Sequence, residues 1–255
     1  MNKTVKYVLY DIFRSRILIA YACLLFLISF SLMSFEENPS KGLMSLLNIT
    51  LIVVPLISII FGTIHFYNSN EFIELLLSQP FSRSSIFFSQ YMSVSASLSC
   101  AFIIGMGIPI IIFSPGTIGT TLIITGLLLT MVFVSLAFLS SVFVRDKAMG
   151  IGFALLLWFL FSLIYDGLIL MLIVSLSDYP IEKLTLILAS FNPIDLGRIF
   201  VMLQMDVSAM MGYTGAVYKD FFGSSTGMIY TFLIMFLWIL WPLLLANHRF
   251  NQKDL

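Results

Sequence analysis

SSIFFSQYMSVSASLSCAFIIGMGIPIIIFSPGTIGTTLIITGLLLTMVFVSLAFLSSVFV, residues 84–144, contains no Asp, Glu, Lys or Arg and is bounded by Arg83 and Arg145. A helix needs about 20 predominantly apolar residues, at about 1.5 Å of rise each, to cross the hydrocarbon layer of a bilayer. This stretch is too long for one such helix, and Ser114-Pro115-Gly116 supplies a turn near its middle. It reads as two spans, 92–113 and 118–144. The same rule applied outward, with charged residues as boundaries, gives spans at 17–35, 44–66, 148–176 and 226–246. The expected fold class is an all-α integral membrane protein with six transmembrane helices in one domain, 1–255.

Composition supports this reading. The chain has 255 residues, 60% hydrophobic and 10% charged, with a mean hydropathy of +1.04. Soluble domains carry about 25% charged residues, so there is too little polar surface here to solvate a globule. The 13 Lys and Arg balance the 13 Asp and Glu, and no basic patch suited to nucleic acid is present. Cys23 and Cys100 lie in apolar runs and build neither a disulfide framework nor a thiolate metal site.

Six spans put both termini on one side. Lys3, Lys6, Arg14, Arg16, Arg83, Arg145, Lys147, Arg249 and Lys253 fall there, against Lys41, Lys183, Arg198 and Lys219 opposite. The positive-inside rule then places both termini in the cytoplasm. Glu36, Glu37, Asp178, Glu182, Asp195, Asp206 and Asp220 make the outer side acidic. At the N-terminus, Val5, Val8, Leu9, Ile12 and Phe13 recur at helical spacing, so 1–16 reads as an amphipathic interfacial helix rather than a signal peptide. Pro55, Pro109 and Pro242 are expected to kink their spans.

Residues 67–91 form a cytoplasmic loop too apolar for a plain connector. Phe72, Leu75, Leu76 and Gln79 can share one helical face, with Glu71, Glu74 and Ser78 on another. Pro80 ends that helix, and Ser82 caps the next one. The pattern suits either docking into a groove of a cytoplasmic partner or an interfacial helix without one. Asp166 is the sole acid inside an expected span, beyond its midpoint toward the outer side. It reads as a lining residue of a path, part of a dimer interface, or a hydrogen-bonded acid at a helix break by Gly167.

The outer loop, 177–225, contains Asn192-Pro193, an N-cap followed by an N1 proline, with Asp195 at N3. A helix from Pro193 to about Met205 follows, as part of a re-entrant hairpin or a platform for an outer partner. Asp195 and Arg198 have the spacing of an intrahelical ion pair. Met202, Met205, Met210 and Met211 are thioethers of a kind that can bind Cu(I), but packing is the simpler role for them. His65 and His248 are too far apart in the pattern to form a metal site, and no P-loop or nucleophile–base pair occurs.

Glu74, the Leu-rich turn, Pro80-x-x-Arg83 and Ile86 resemble the coupling loop of ABC-2 type permeases. Two further stretches resemble a narrower group, the permeases of transporters that support copper-centre maturation in nitrous oxide reductase. These are Trp158-Phe159-Leu160-Phe161 with Tyr165-Asp166, and Asn192-Pro193-x-Asp195 with Arg198. Where many ABC-2 loops carry Gly-Thr and a later Lys, this chain has Phe72-Ile73 and Gln90.

The resemblance implies an inner-membrane transporter subunit that is not itself an enzyme, and a homodimer that binds a cytoplasmic ABC ATPase. That partner, and not this chain, would hold ATP and Mg. Glu71, Glu74, Leu77, Pro80 and Arg83 would carry the coupling. Asn192, Pro193, Asp195 and Arg198 would meet a periplasmic copper-handling protein. An exporter of a lipid, drug or polysaccharide, and a scaffold without transport, stay open beside it.

Overall fold

The computed structural model describes residues 9–10, 12, 14–36, 38–78, 82–175, 187–204 and 225–252, and every regular element among them is helical. In chain order these are α1 (Arg16–Phe35), α2 (Pro39–Asn68), the short α3 (Asn70–Leu77), α4 (Arg83–Phe113), α5 (Thr117–Phe143), α6 (Lys147–Phe159, Leu160–Ile164 and Tyr165–Ser175), α7 (Pro193–Gln204) and α8 (Ser225–Gln252). Six of them, α1, α2, α4, α5, α6 and α8, are long and apolar enough to cross a membrane. The chain is an all-α integral membrane protein.

Caps explain where the helices outrun the boundaries expected from hydropathy. α2 begins at Pro39 because the Asn38 side chain accepts from Ser40 N at 3.1 Å and proline suits the first helical position. α4 begins at Arg83, where Ser82 Oγ accepts from Ser85 N at 3.4 Å. The Ser-rich start of α4 tolerates an apolar setting because its hydroxyls bond within the helix: Ser89 to Ser85 O, Ser93 to Ser89 O and Ser97 to Ser93 O, at 2.7–2.8 Å.

α5 is the centre of the bundle, with 72% of its apolar window buried. It packs against α2, α8, α7 and α4. Gly62 of α2 permits a close approach, since a Cβ there would stand 2.9 Å from Ala137 Cβ. One end of the bundle is tied by polar contacts between helix termini. Tyr67 Oη donates to Val144 O at 2.9 Å, Lys147 Nζ to Asn68 Oδ1 at 2.7 Å and Asn251 Nδ2 to Ser84 Oγ at 2.9 Å. Beneath these ties, Phe66, Phe87, Phe138 and Phe250 pack ring against ring, with centroids 5.3–6.3 Å apart. This end holds Arg83, Arg145, Lys147 and Arg249 and is termed the basic end.

Two spans are widened by a π turn. In α4, Ile108 N–H reaches back five residues to Ile103 O, and Pro109 has no N–H to offer Gly105 O. Ser29 of α1 supplies the missing donor, its hydroxyl lying 2.8 Å from Gly105 O. In α6, Tyr165 N–H bonds Leu160 O rather than Phe161 O, four residues back. The Phe161 carbonyl is thereby free for a partner outside its own helix.

Most of the expected interfacial helix, residues 1–8 with 11 and 13, lies outside the described residues. Of its apolar set Ile12 is buried and Leu9 half-buried, while Tyr10, outside that set, is exposed. Pro55 and Pro242 stand inside continuous helices, α2 and α8.

Candidate functional site

The free Phe161 carbonyl is where α7 docks. Asn192 Nδ2 donates to Phe161 O at 2.9 Å and to Asp195 Oδ2 at 3.0 Å, and Asn192 Oδ1 accepts from Ile194 N at 3.0 Å. One side chain thus caps α7, fixes α7 to the π turn of α6 and orients the first acid of α7. Arg198, one turn further on, joins the two helices by charge. Its Nη2 lies 2.7 Å from Asp166 Oδ2 and its Nη1 3.3 Å from Asp195 Oδ1.

Asp166 and Arg198 are each about one-third exposed, with side-chain values of 31% and 33%, while Asn192 and Asp195 are buried. The cluster holds two acids to one guanidinium, so it carries an excess of negative charge when both acids are ionised.

The cluster lies deep. Gly197, beside Arg198, is so close to α5 that a Cβ would stand 2.9 Å from Thr125 Cγ2, with Leu129 and Met235 also in contact range. At about 1.5 Å per residue, Thr125 and Leu129 are about 12–18 Å from the end of α5 opposite the basic end. The segment before α7 reaches a similar depth. Trp238, midway along α8, donates to Ser190 O at 3.1 Å, and Tyr165 Oη donates to Leu188 O at 2.6 Å. Ser190 Oγ and Tyr230 Oη share a bond of 2.9 Å, and the Phe161 and Trp238 rings meet edge to face at 5.3 Å. Residues 187–204 therefore pack into the bundle, against α5, α6 and α8.

Sequence reading named Asp166, Asn192, Pro193, Asp195 and Arg198 separately, as a buried acid and as outer-loop contacts; the fold brings them together. Asn192, Pro193 and Asp195 are inside the bundle rather than on an outer surface, and the intrahelical Asp195–Arg198 pair is present alongside the longer-range bond to Asp166. Sequence reading missed Ser190, Tyr230 and Trp238. A signal was available, because buried Tyr and Trp tips demand polar partners. Trp158, likewise, donates to Ile52 O at 3.2 Å.

The second candidate surface is α3, beside the basic end. Its packing face is Ile73 and Leu76, both buried, while Glu71, Phe72, Glu74 and Leu75 point outward. The sequence grouping of Phe72 and Leu75 with Leu76 on one face is corrected here: they belong to the exposed side, because α3 lies on the bundle through Ile73. Phe72 is 40% and Leu75 65% exposed, an apolar pair bracketed by two acids. Arg83, at the start of α4, directs Nη1 to Asn251 O of α8 at 3.5 Å, and so links this region to the C-terminal end of α8. Pro80, and the side chain of Leu77, lie outside the described residues.

His65 Nε2 is 3.2 Å from Gln90 Oε1 and 3.3 Å from Ser69 Oγ, and His248 Nε2 is 3.1 Å from Gln252 Nε2, so the histidines sit in separate polar contacts. Among the described residues no three His, Cys, Asp or Glu side chains converge as a metal site. Met202 packs against the core, and Met205, Met210 and Met211 lie outside the described residues.

Comparison with known proteins agrees with this layout. The probable ABC transporter permease protein NosY of Pseudomonas aeruginosa is 26% identical over 223 residues, covering 83% of this chain and 80% of that protein. The probable ABC transporter permease protein NosY of Stutzerimonas stutzeri is 27% identical over 180 residues, covering 66% of this chain and 64% of its own length. The model of the ABC-2 family transporter proteins matches residues 9–255. The chain is a multi-pass membrane protein that belongs to the ABC-2 transporter family, as a permease subunit.

Proposed function

We propose that this chain is a NosY-like permease of an ATP-binding cassette transporter in the cell inner membrane, with both termini in the cytoplasm. It works as a homodimer with a cytoplasmic ABC ATPase, which binds ATP and Mg. The observation that carries the reading is the outward face of α3. Glu71, Phe72, Glu74 and Leu75 offer an apolar pair between two acids, on a short helix held to the bundle by Ile73 and Leu76. Such a helix-in-groove contact transmits force as well as affinity.

Arg83 and Ser84 pass that force on, since both contact Asn251 at the end of α8. α8 in turn holds the outer hairpin through Trp238 and Tyr230. Asp166, Asn192, Asp195 and Arg198 set the resting position of the hairpin, whose rim meets the periplasmic partner. By likeness to the NosY proteins, that partner handles copper for assembly of nitrous oxide reductase, and the transporter does work on it or delivers a compound to it. A different exported cargo would use the same coupling parts.

Affinity purification of the full chain in mild detergent tests the reading. A co-eluting P-loop ATPase is the expected result. A chain that elutes alone from cells expressing its genomic neighbours would favour a scaffold without transport.

A further inference from the structure

We propose that His65 is the positioning residue of the coupling step: its ring ties the start of α3, at Ser69, to the interior of α4, at Gln90, so that a displacement of α3 carries α2 and α4 with it. The inference rests on the reading of α3 as the surface that meets the ATPase, and it adds the joint behind that surface.

Ser69 stands where two helices meet. It ends α2, its N–H bonding His65 O at 3.0 Å and Phe66 O at 3.2 Å, and it begins α3, its carbonyl accepting from Ile73 N at 2.8 Å. A serine at a helix start ordinarily turns its hydroxyl onto a free N–H of the first turn. Ser69 makes no such bond. Its Oγ lies instead 3.3 Å from His65 Nε2, one turn back on α2. α3 thus goes without a side-chain cap, and the hydroxyl holds to the ring.

The same ring nitrogen is 3.2 Å from Gln90 Oε1. Gln90 is 2% exposed, two turns into α4, and a buried amide needs partners. With Gln90 offering its carbonyl oxygen, Nε2 carries the ring proton and shares it between an oxygen on α4 and an oxygen at the start of α3. Phe61, one turn earlier on α2, steadies the ring, with 6.2 Å between centroids and 8° between planes.

The division of labour follows from the kinds of contact. α3 rests on α2 and α4, and its buried residues are Ile73 and Leu76. Apolar contact is non-directional, so these two hold α3 down without fixing its angle. Hydrogen bonds are directional, and those at His65 fix it. Without the ring nitrogen, α3 would turn about the Ser69 backbone and leave α2 and α4 at rest.

Four variants of the assembled transporter test this, each in a C23S/C100S/I187C background labelled with a membrane-impermeant maleimide, with and without ATP and vanadate. H65F keeps a ring over Phe61 and removes Nε2, H65Q puts an amide in place of Nε2, and S69A and Q90L each remove one oxygen. ATPase retention and ATP hydrolysis are measured on the same samples. The expected result is unchanged retention and hydrolysis in all four. The nucleotide-dependent change in labelling falls at least about fivefold in H65F, the low end for coupling between linked sites. It falls less in S69A and Q90L and returns in H65Q. A merely structural role would lower yield or hydrolysis together with the labelling change, and that outcome overturns the proposal. So does a full response in H65F, with the coupling reading left standing. If H65F does not fold, S69A and Q90L decide, and a full response in both overturns the joint. If the parent background shows no response with the ATPase bound and active, the coupling reading falls and the joint with it.

Discussion

Replacing Arg198 by Met removes the base that serves Asp166 and Asp195 while keeping a side chain of similar length. Both acids then lose a charged partner, at 2.7 and 3.3 Å respectively. Removing one member of a buried ion pair costs about 3–5 kcal/mol, because the charge left behind is uncompensated. Asp166 and Arg198 are about one-third exposed, so about two-thirds of that applies, about 2–3 kcal/mol. At about 2–4 °C per kcal/mol for a chain of this size, the midpoint falls by about 4–12 °C.

The double variant D166N/R198M removes charge from both sides and leaves Asp195 with its Asn192 bond. Its loss is expected to be less than half the sum of the two single losses, since residues in one ion pair couple by about 0.5–3 kcal/mol. The assay is thermal unfolding of the chain in lipid nanodiscs, read by size-exclusion chromatography after heating. A shift below about 1 °C for R198M, or strict additivity in the double variant, would refute the reasoning.

Other outcomes follow from single contacts. N192A strips the donor from Phe161 O and the cap from Ile194 N, and should cost about 2–3 kcal/mol in the same assay, more than the loss of either bond alone. S29A should cost about 1–2 kcal/mol in the wild-type chain but much less in a P109A background, where residue 109 regains an N–H for Gly105 O. G150V should disrupt the basic end, because a Cβ there collides with the Tyr67 phenol that bonds Val144 O; reduced yield of folded protein checks this. F72A/L75A should weaken ATPase binding by about tenfold or more per residue of a hot-spot pair, with an unchanged thermal midpoint; microscale thermophoresis with the purified ATPase measures the first and the heating assay the second.

The spans were legible because charge is scarce and sorted: Arg16, Arg83, Arg145 and Lys147 each stand at or beside a helix start. Hydropathy placed the start of α4 late because Ser84, Ser85 and Ser89 look polar, whereas the Ser89 hydroxyl bonds Ser85 O inside the helix and Ser84 Oγ accepts from Asn251 at the end of α8. The π turn of α4 had local marks, Gly105, Gly107 and Pro109. The π turn of α6 had none. Nothing in Leu160 to Ile164 forbids an ordinary helix, and its free carbonyl has meaning only once Asn192 is present.

The same holds for the Asp166–Arg198 pair. Sequence reading counted Arg198 among the outer charges and left a re-entrant hairpin open for its loop, but no local pattern sets Arg198 beside Asp166. Depth here is a tertiary property, set by Gly197 against Thr125 and by Trp238 reaching Ser190. On α3, a hydropathic face was visible, but which apolar residues turn inward depended on how the helix lies on its neighbours.

The most direct test of the account is whether nucleotide at the ATPase reaches the outer hairpin. In a C23S/C100S background, a single cysteine at the exposed position Ile187 reports its accessibility to a membrane-impermeant maleimide in the assembled transporter. The account predicts that ATP with vanadate changes the labelling rate in an otherwise unaltered chain, and that L75D abolishes the change. Equal rates with and without nucleotide in the unaltered chain, with the ATPase bound and active, would contradict it.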